Sequence, residues 1–175
     1  MQVVVQITSW TASDAYLTNP SLLEPAISSF SKADGCICVY SGLSEEDETT
    51  IYLFIVWEIS EPPKILVDSP AYLRNTGLLS CIKYDAFQTN HTVHFNNNVI
   101  PALTAPITEV TLLTLKEGKT KGHLNQILNS VSTNPEIADN KYGALTWGDV
   151  EGTPDKFYLL FGWENAKVLI DTLFL

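Results

Sequence analysis

The sequence predicts an α+β fold made of two tandem copies of one unit. The first observation is that residues 42–58 recur further along the chain, without a gap, as residues 148–164. The second is that strand-like and helix-like hydrophobic patterns alternate in the same order around both stretches. The third is a globular composition, with 45% hydrophobic and 17% charged residues. The identical pairs include Gly42/Gly148, Tyr52/Tyr158, Trp57/Trp163 and Glu58/Glu164.

The first copy, at residues 1–96, predicts the order strand, helix, strand, strand, helix, strand. Val3–Trp10 opens with β-branched residues, and Asn19-Pro20-Ser21 provides an N-cap with proline at the first helical position. A broken helix is expected to begin at Ser69-Pro70 and to be interrupted near Gly77. The other predicted strands are Cys36–Ser41, Thr50–Trp57 and Thr89–Phe95. This order is the split βαβ, or ferredoxin-like, arrangement, in which two crossovers cover one face of an antiparallel sheet.

The second copy, at residues 107–175, is expected to be truncated, and residues 97–106 form the connector. A single apolar stripe predicts its helix. Asn165 is expected to cap a short closing helix, Ala166–Thr172, and no counterpart of Thr89–Phe95 follows. The stripe consists of Leu124, Ile127, Leu128 and Val131, and the predicted strands are Glu109–Lys116, Tyr142–Gly148 and Lys156–Trp163.

Charge argues against nucleic acid and membranes as partners. The net charge is -10, from 20 acidic and 10 basic residues, so a surface that neutralises phosphates is hard to build. No apolar run approaches the ~20 residues of a membrane span, and the N-terminus lacks the basic region of a signal peptide. Three cysteines without a signal peptide argue against a disulfide framework. We therefore expect a cytoplasmic protein.

Motifs for bound metals and cofactors are missing from the sequence. It has no glycine-rich phosphate loop, no Gly-x-Ser-x-Gly elbow and no His-Glu-x-x-His helix. His91 and His94 lie three apart in a predicted strand, which places them on opposite faces and makes a shared metal unfavourable. The acidic run Glu45–Glu48 is typical of a solvated hairpin loop. The expectation is an activity without a metal or cofactor.

The duplicated unit and the strand-end segment Tyr158–Asn165 (YLLFGWEN) resemble the dimeric α+β-barrel superfamily. Its members include stress-responsive A/B-barrel domains, antibiotic-biosynthesis monooxygenases and polyketide cyclases. The resemblance implies that the two antiparallel sheets form one α+β barrel, with the tandem copies replacing the usual pair of chains. It also implies a pocket between the sheets for a small apolar or aromatic molecule. The chain would act as a monomer or a homodimer.

The alternation of side chains along a strand predicts which residues line that pocket. If Val5 and Ile7 pack on helices, then Gln6, Thr8 and Trp10 face the barrel interior and contact the substrate.

A histidine is the first candidate for the general base. His91 shares its predicted face with Val93 and Phe95, so His94 is the histidine expected inside the barrel. Because histidine changes protonation near neutral pH, His94 could act as a general base, and a structural or surface role is the alternative.

Aromatic residues complete the predicted site. Tyr72 is a second catalytic candidate, since its phenol could orient a carbonyl group. Tyr40 and Trp147 are predicted to line the pocket, and Trp147 replaces Ser41 of the other copy. The resemblance implies a cofactor-free cyclase, lyase or monooxygenase that uses general acid–base catalysis. The alternatives are a non-catalytic stress-response or ligand-binding protein of the same fold and a haem-binding relative.

Overall fold

The computed structural model shows an α+β fold whose paired strands are antiparallel. It describes residues 3–58, 70–84, 88–143 and 145–165, without the side chains of residues 70–72 and 136. The chain divides into two compact units. The first unit is Val4–Thr92, and the second comprises Met1–Val3 and Val93–Leu175.

The first unit contains four strands in the order β2-β3-β1-β4 among its described residues. These are β1 (Val3–Thr11), β2 (Cys36–Leu43), β3 (Thr50–Trp57) and β4 (Gln88–Phe95), whose last residues belong to the second unit. The helices are α1 (Asp14–Thr18), α2 (Glu24–Phe30) and α3 (Pro70–Asn75), with 3₁₀ turns at Pro20–Leu23 and Leu78–Cys81.

Local sequence explains most of these boundaries. Ser13 caps α1, because its hydroxyl oxygen accepts a hydrogen bond from the backbone N–H of Tyr16. The predicted helix start at Pro20 is confirmed, although its first turn is 3₁₀. Gly77 has a positive φ of 76°, which ends α3 and confirms the predicted break. Helix α1 was not predicted, because five residues are too few to show a helical period.

The helices of the first unit cover the face of β1 that carries Val4, Trp10 and Ala12. These residues share a buried core with Phe30 of α2 and with alternate residues of β3. The expectation that Val5 and Ile7 pack on these helices is therefore wrong. Gln6 and Thr8 are buried as well, so both faces of β1 exclude water and the hydrophobic pattern could not show which face the helices cover.

The second unit contains the described strands in the order β4-β6-β7-β5. The new elements are β5 (Ile107–Thr114), β6 (Thr146–Val150), β7 (Lys156–Trp163), α4 (Ile100–Leu103), α5 (Lys121–Ser132) and α6 (Pro135–Ala138). Leu128 of α5 packs into a core with Trp147, Phe161 and Trp163, and Leu124 packs against it.

The single apolar stripe predicted for α5 is wrong in part, because Ile127 is 60% exposed and Val131 is also exposed. The predicted closing helix lies outside the described residues.

The recurring residues occupy the same pairing positions in both units. Gly42 lies opposite Tyr52 in the β2–β3 pair, and Gly148 lies opposite Tyr158 in the β6–β7 pair. Gly162, which precedes Trp163 of the second copy, is required by packing, because a Cβ at this position would lie 2.6 Å from the Cβ of Tyr142. The recurrence in sequence is thus accompanied by equal strand register.

Candidate functional site

An open groove of about 490 Å³ in the second unit runs between helix α5 and strands β4 and β6. We call it the α5 groove. Helix α5 contributes Lys121, Asn125 and Asn129, which lie four residues apart and therefore on one helical face. The strands and the residue after β4 contribute His94, Phe95, Asn96, Trp147, Gly148 and Asp149.

His94 reaches this groove from β4, where it lies directly opposite Asp149 of β6. Residues opposite each other in an antiparallel pair project from the same face, and Asp149 shares its face with Trp147 two residues earlier. Because Trp147 packs with Leu128 of α5, this is the helix-covered face. The expectation that His94 faces away from the helices is therefore wrong. The short strand carries polar and apolar residues on both faces, so its pattern did not distinguish them.

The imidazole of His94 is partly accessible and has a carboxylate nearby. Its side chain is 28% exposed, and its Nε2 lies 3.9 Å from Oε2 of Glu151. The geometry suits a group that gains a proton during a reaction.

Trp147 forms the apolar part of the groove and is held by two asparagines. Its side chain is largely buried, and its indole Nε1 donates to Oδ1 of Asn125 at 3.0 Å. Its backbone N–H donates to Oδ1 of Asn96 at 3.1 Å. These bonds fix the indole and both amides relative to β6.

An ion pair and a second carboxylate lie near His94. Lys121 forms an ion pair with Asp149, and both side chains are about half exposed. Glu151 lies beside His94. The groove thus combines one ammonium group, one carboxylate and one histidine, and the Glu151 carboxylate lies next to that histidine.

The predicted residues of β1 lie in the first unit. Gln6 donates from Nε2 to Oδ1 of Asn90 at 3.2 Å, and the Thr8 hydroxyl donates to the same atom at 3.3 Å. Trp10 is a core residue whose Nε1 donates to the carbonyl of Cys81 at 3.2 Å.

The two predicted tyrosines also lie in the first unit. Tyr40 of β2 lies opposite Phe54, on the other face of the sheet from Gln6, and burial raises the pKa of its phenol. Tyr72 lies in α3, and its side chain is outside the described residues. Of the predicted site residues, the structure brings His94 and Trp147 together in the α5 groove, and Gln6 and Thr8 together around Asn90.

Sequence reasoning missed Asn96, Lys121, Asn125 and Asp149. The polar spacing of Lys121, Asn125 and Asn129 along one helical face was a usable signal for the helix side of the groove. No local pattern pointed to Asn96 or Asp149, which reach the groove only through the pairing of β4 with β6.

Neither a metal site nor a membrane span is found within the described ranges. Among these residues no three His, Cys, Asp or Glu side chains are grouped to hold a metal ion. None of the described helices has both the length and the apolar character needed to cross a membrane.

Solved structures with a similar fold include two proposed monooxygenases. One, from Fusobacterium nucleatum subsp. nucleatum, has a TM-score of 0.61 at 11% identity over 97% of this chain and 79% of its own. The other, from Lactobacillus acidophilus NCFM, has a TM-score of 0.58 at 13% identity over 97% of this chain and 80% of its own. No protein-family model and no curated protein matches the sequence. At these identities the likeness establishes the fold.

Proposed function

We propose that this chain is a cofactor-free enzyme that acts on a small aromatic molecule by general acid–base catalysis in the α5 groove. The reaction would be of the cyclase, lyase or monooxygenase type. We also propose that the two units are tandem ferredoxin-like halves of one α+β barrel. The fold shared with two proposed monooxygenases supports both proposals. A cytoplasmic location and a monomeric or homodimeric state remain predictions.

The observation that carries the catalytic proposal is the position of His94. Its partly exposed imidazole lies in an open groove, with Trp147 as an apolar wall and Glu151 close to Nε2. Nε2 would take the proton from an acidic C–H or phenolic O–H bond, and the electron pair of that bond would stay on the substrate as an enolate or phenolate. Glu151 would stabilise the imidazolium formed. The ammonium group of Lys121, which lines the same groove, would stabilise the negative charge on the substrate.

Proton exchange into 2-tetralone tests this step without requiring the natural substrate. The C1–H bond of this aromatic ketone is acidic, and its exchange with deuterium in D₂O is followed by ¹H NMR. The wild-type protein should accelerate the exchange. His94→Ala should lower the rate of the protein-catalysed exchange at least about a hundredfold, which is the lower end of the range for general acid–base catalysis.

The matched control is His123→Ala, which removes an exposed histidine of the same unit that does not line the groove. Circular dichroism of each variant reports whether the fold is retained. Wild-type protein that exchanges 2-tetralone no faster than buffer, or His94→Ala that exchanges it as fast as wild type, would refute the catalytic proposal.

The second candidate function is a small-ligand-binding protein without turnover. The three asparagines of the groove favour it, because their amides can hydrogen-bond a ligand but do not act as acids or bases near neutral pH. Saturable binding of 2-tetralone, measured by tryptophan fluorescence, together with exchange at the rate of buffer would support this function over catalysis.

A further inference from the structure

Two amides of the α5 groove have an orientation that their partners determine. The indole N–H of Trp147 can only donate, so the Asn125 atom that it contacts at 3.0 Å must be the oxygen Oδ1. The backbone N–H of Trp147 likewise requires Oδ1 of Asn96 at 3.1 Å. In each asparagine the acceptor is therefore engaged, and the NH₂ group is the part left for a ligand.

These NH₂ groups place available hydrogen-bond donors on the wall of the groove. Neither Nδ2 of Asn96 nor Nδ2 of Asn125 has a hydrogen-bond partner within the described part of the chain, and both residues line the groove. The ammonium of Lys121 is a further donor. A ligand that complements this wall must present acceptor oxygens.

Charge determines which acceptor oxygens the groove favours. Asp149 already pairs with Lys121, and Glu151 lies beside His94. A ligand carboxylate would compete with Asp149 for the ammonium group and would be repelled by Glu151. The whole chain adds to this repulsion, since its net charge is -10. A neutral carbonyl oxygen accepts hydrogen bonds from the amides without this cost.

We propose that the α5 groove selects neutral ligands that carry a carbonyl group and discriminates against carboxylates of the same shape. The carbonyl oxygen accepts from Nδ2 of Asn125, and Asn96 provides a second donor in the same groove. This inference rests on the proposed function in one respect, namely that the groove is where the substrate binds. It adds the substrate class: a neutral aromatic ketone, ester or quinone.

A matched ligand pair tests the selection. 2-Tetralone and 1,2,3,4-tetrahydro-2-naphthoate share the fused ring system and differ in carrying a ketone or a carboxylate. Dissociation constants are measured by isothermal titration calorimetry at neutral pH and constant ionic strength. The ketone should bind at least about tenfold more tightly than the carboxylate, because both can accept from the amides but only the carboxylate is repelled by Glu151 and by the net charge of -10.

Asn125→Asp isolates the donor. It keeps an oxygen for the Trp147 indole and replaces Nδ2 with a second oxygen, so the affinity for 2-tetralone should fall at least about tenfold while the fold is retained. The control Asn98→Asp adds the same charge in the same unit outside the groove. It keeps the oxygen that accepts from the Ile100 backbone N–H, and the affinity should stay unchanged.

Equal or tighter binding of the carboxylate, no binding of the ketone, or an Asn125→Asp variant with wild-type affinity would each overturn the inference. Its failure is distinguishable from failure of catalysis. Deuterium exchange that depends on His94, without preference for the ketone, would leave the proposed function standing. Selective ketone binding without exchange would overturn the catalytic proposal and leave the selectivity.

Discussion

Replacing Gly148 with alanine should destabilise the second unit and displace His94. A Cβ built on Gly148 would lie 2.7 Å from the carbonyl oxygen of His94 and 2.8 Å from Cγ1 of Val93. Ordinary contacts of a Cβ begin at 3.4 Å, so β4 and β6 would have to separate locally by about 0.7 Å. The obstacle includes backbone, which cannot rotate away as the end of a flexible side chain can.

The expected loss is about 1–3 kcal/mol in the free energy of unfolding, the usual cost of overpacking a well-packed region. The effect comes from contact and not from backbone conformation, because Gly148 is not among the glycines with positive φ. His94 contributes both the clashing carbonyl and the proposed base, so the same change should lower the exchange rate of 2-tetralone.

Gly42→Ala is the matched control. Gly42 is the counterpart of Gly148 in the recurring sequence and lies opposite the equivalent tyrosine. No atom lies within 4 Å of a Cβ at this position, and its φ is not positive either. Urea denaturation followed by circular dichroism measures both variants. Gly42→Ala should stay within about 0.5 kcal/mol of wild type. Equal midpoints for the two variants would refute the argument from strand contact.

Two hydrogen-bonded carboxylates lead to further predictions. The indole N–H of Trp163 donates to Glu109 at 3.0 Å, so Glu109→Ala should lower the free energy of unfolding by about 1–3 kcal/mol. Glu109→Gln keeps an acceptor and should lower it by less. Equal losses for the two variants on urea denaturation would contradict this prediction. Asp47 accepts from the hydroxyl and the backbone N–H of Thr50 and from the backbone N–H of Thr49, and these bonds lower the pKa of its carboxyl. Because the pKa of Asp47 is lower in the folded state, its ionised carboxylate stabilises the fold at pH values above the ordinary pKa of 3.8. This stabilisation is lost as the pH falls below that value. Asp47→Asn should flatten the acid limb of a stability–pH profile, and an unchanged limb would count against this assignment.

The elements with strong local signals were predicted well. The predicted bounds of β3 (Thr50–Trp57) and β7 (Lys156–Trp163) are confirmed. Both strands are rich in large apolar residues, which are β-branched and aromatic in β3 and aromatic or leucine in β7. The helix start at Pro20 and the break at Gly77 depend on a fixed φ and a positive φ, which are properties of single residues.

Predicting the faces of β1 and β4 was less successful. Alternation correctly separated Gln6, Thr8 and Trp10 from Val5 and Ile7, but it could not say which group the helices cover. For His94 the same ambiguity led to the wrong face. Periodicity shows which residues of a strand share a face, but it does not show whether helices or another part of the protein cover that face.

The sequence by itself determined that this chain is an acidic α+β protein with a recurring strand motif, and it identified His94 and Trp147 as candidates. Composition, propensity and periodicity are local properties, and they suffice for such conclusions. Only the tertiary structure decided that His94 and Trp147 share a groove with Asn96 and Asn125. The reason is physical: the bonds of Trp147 join residues 22 and 51 positions apart, and their partners meet only after β4 pairs with β6 and α5 packs across that face.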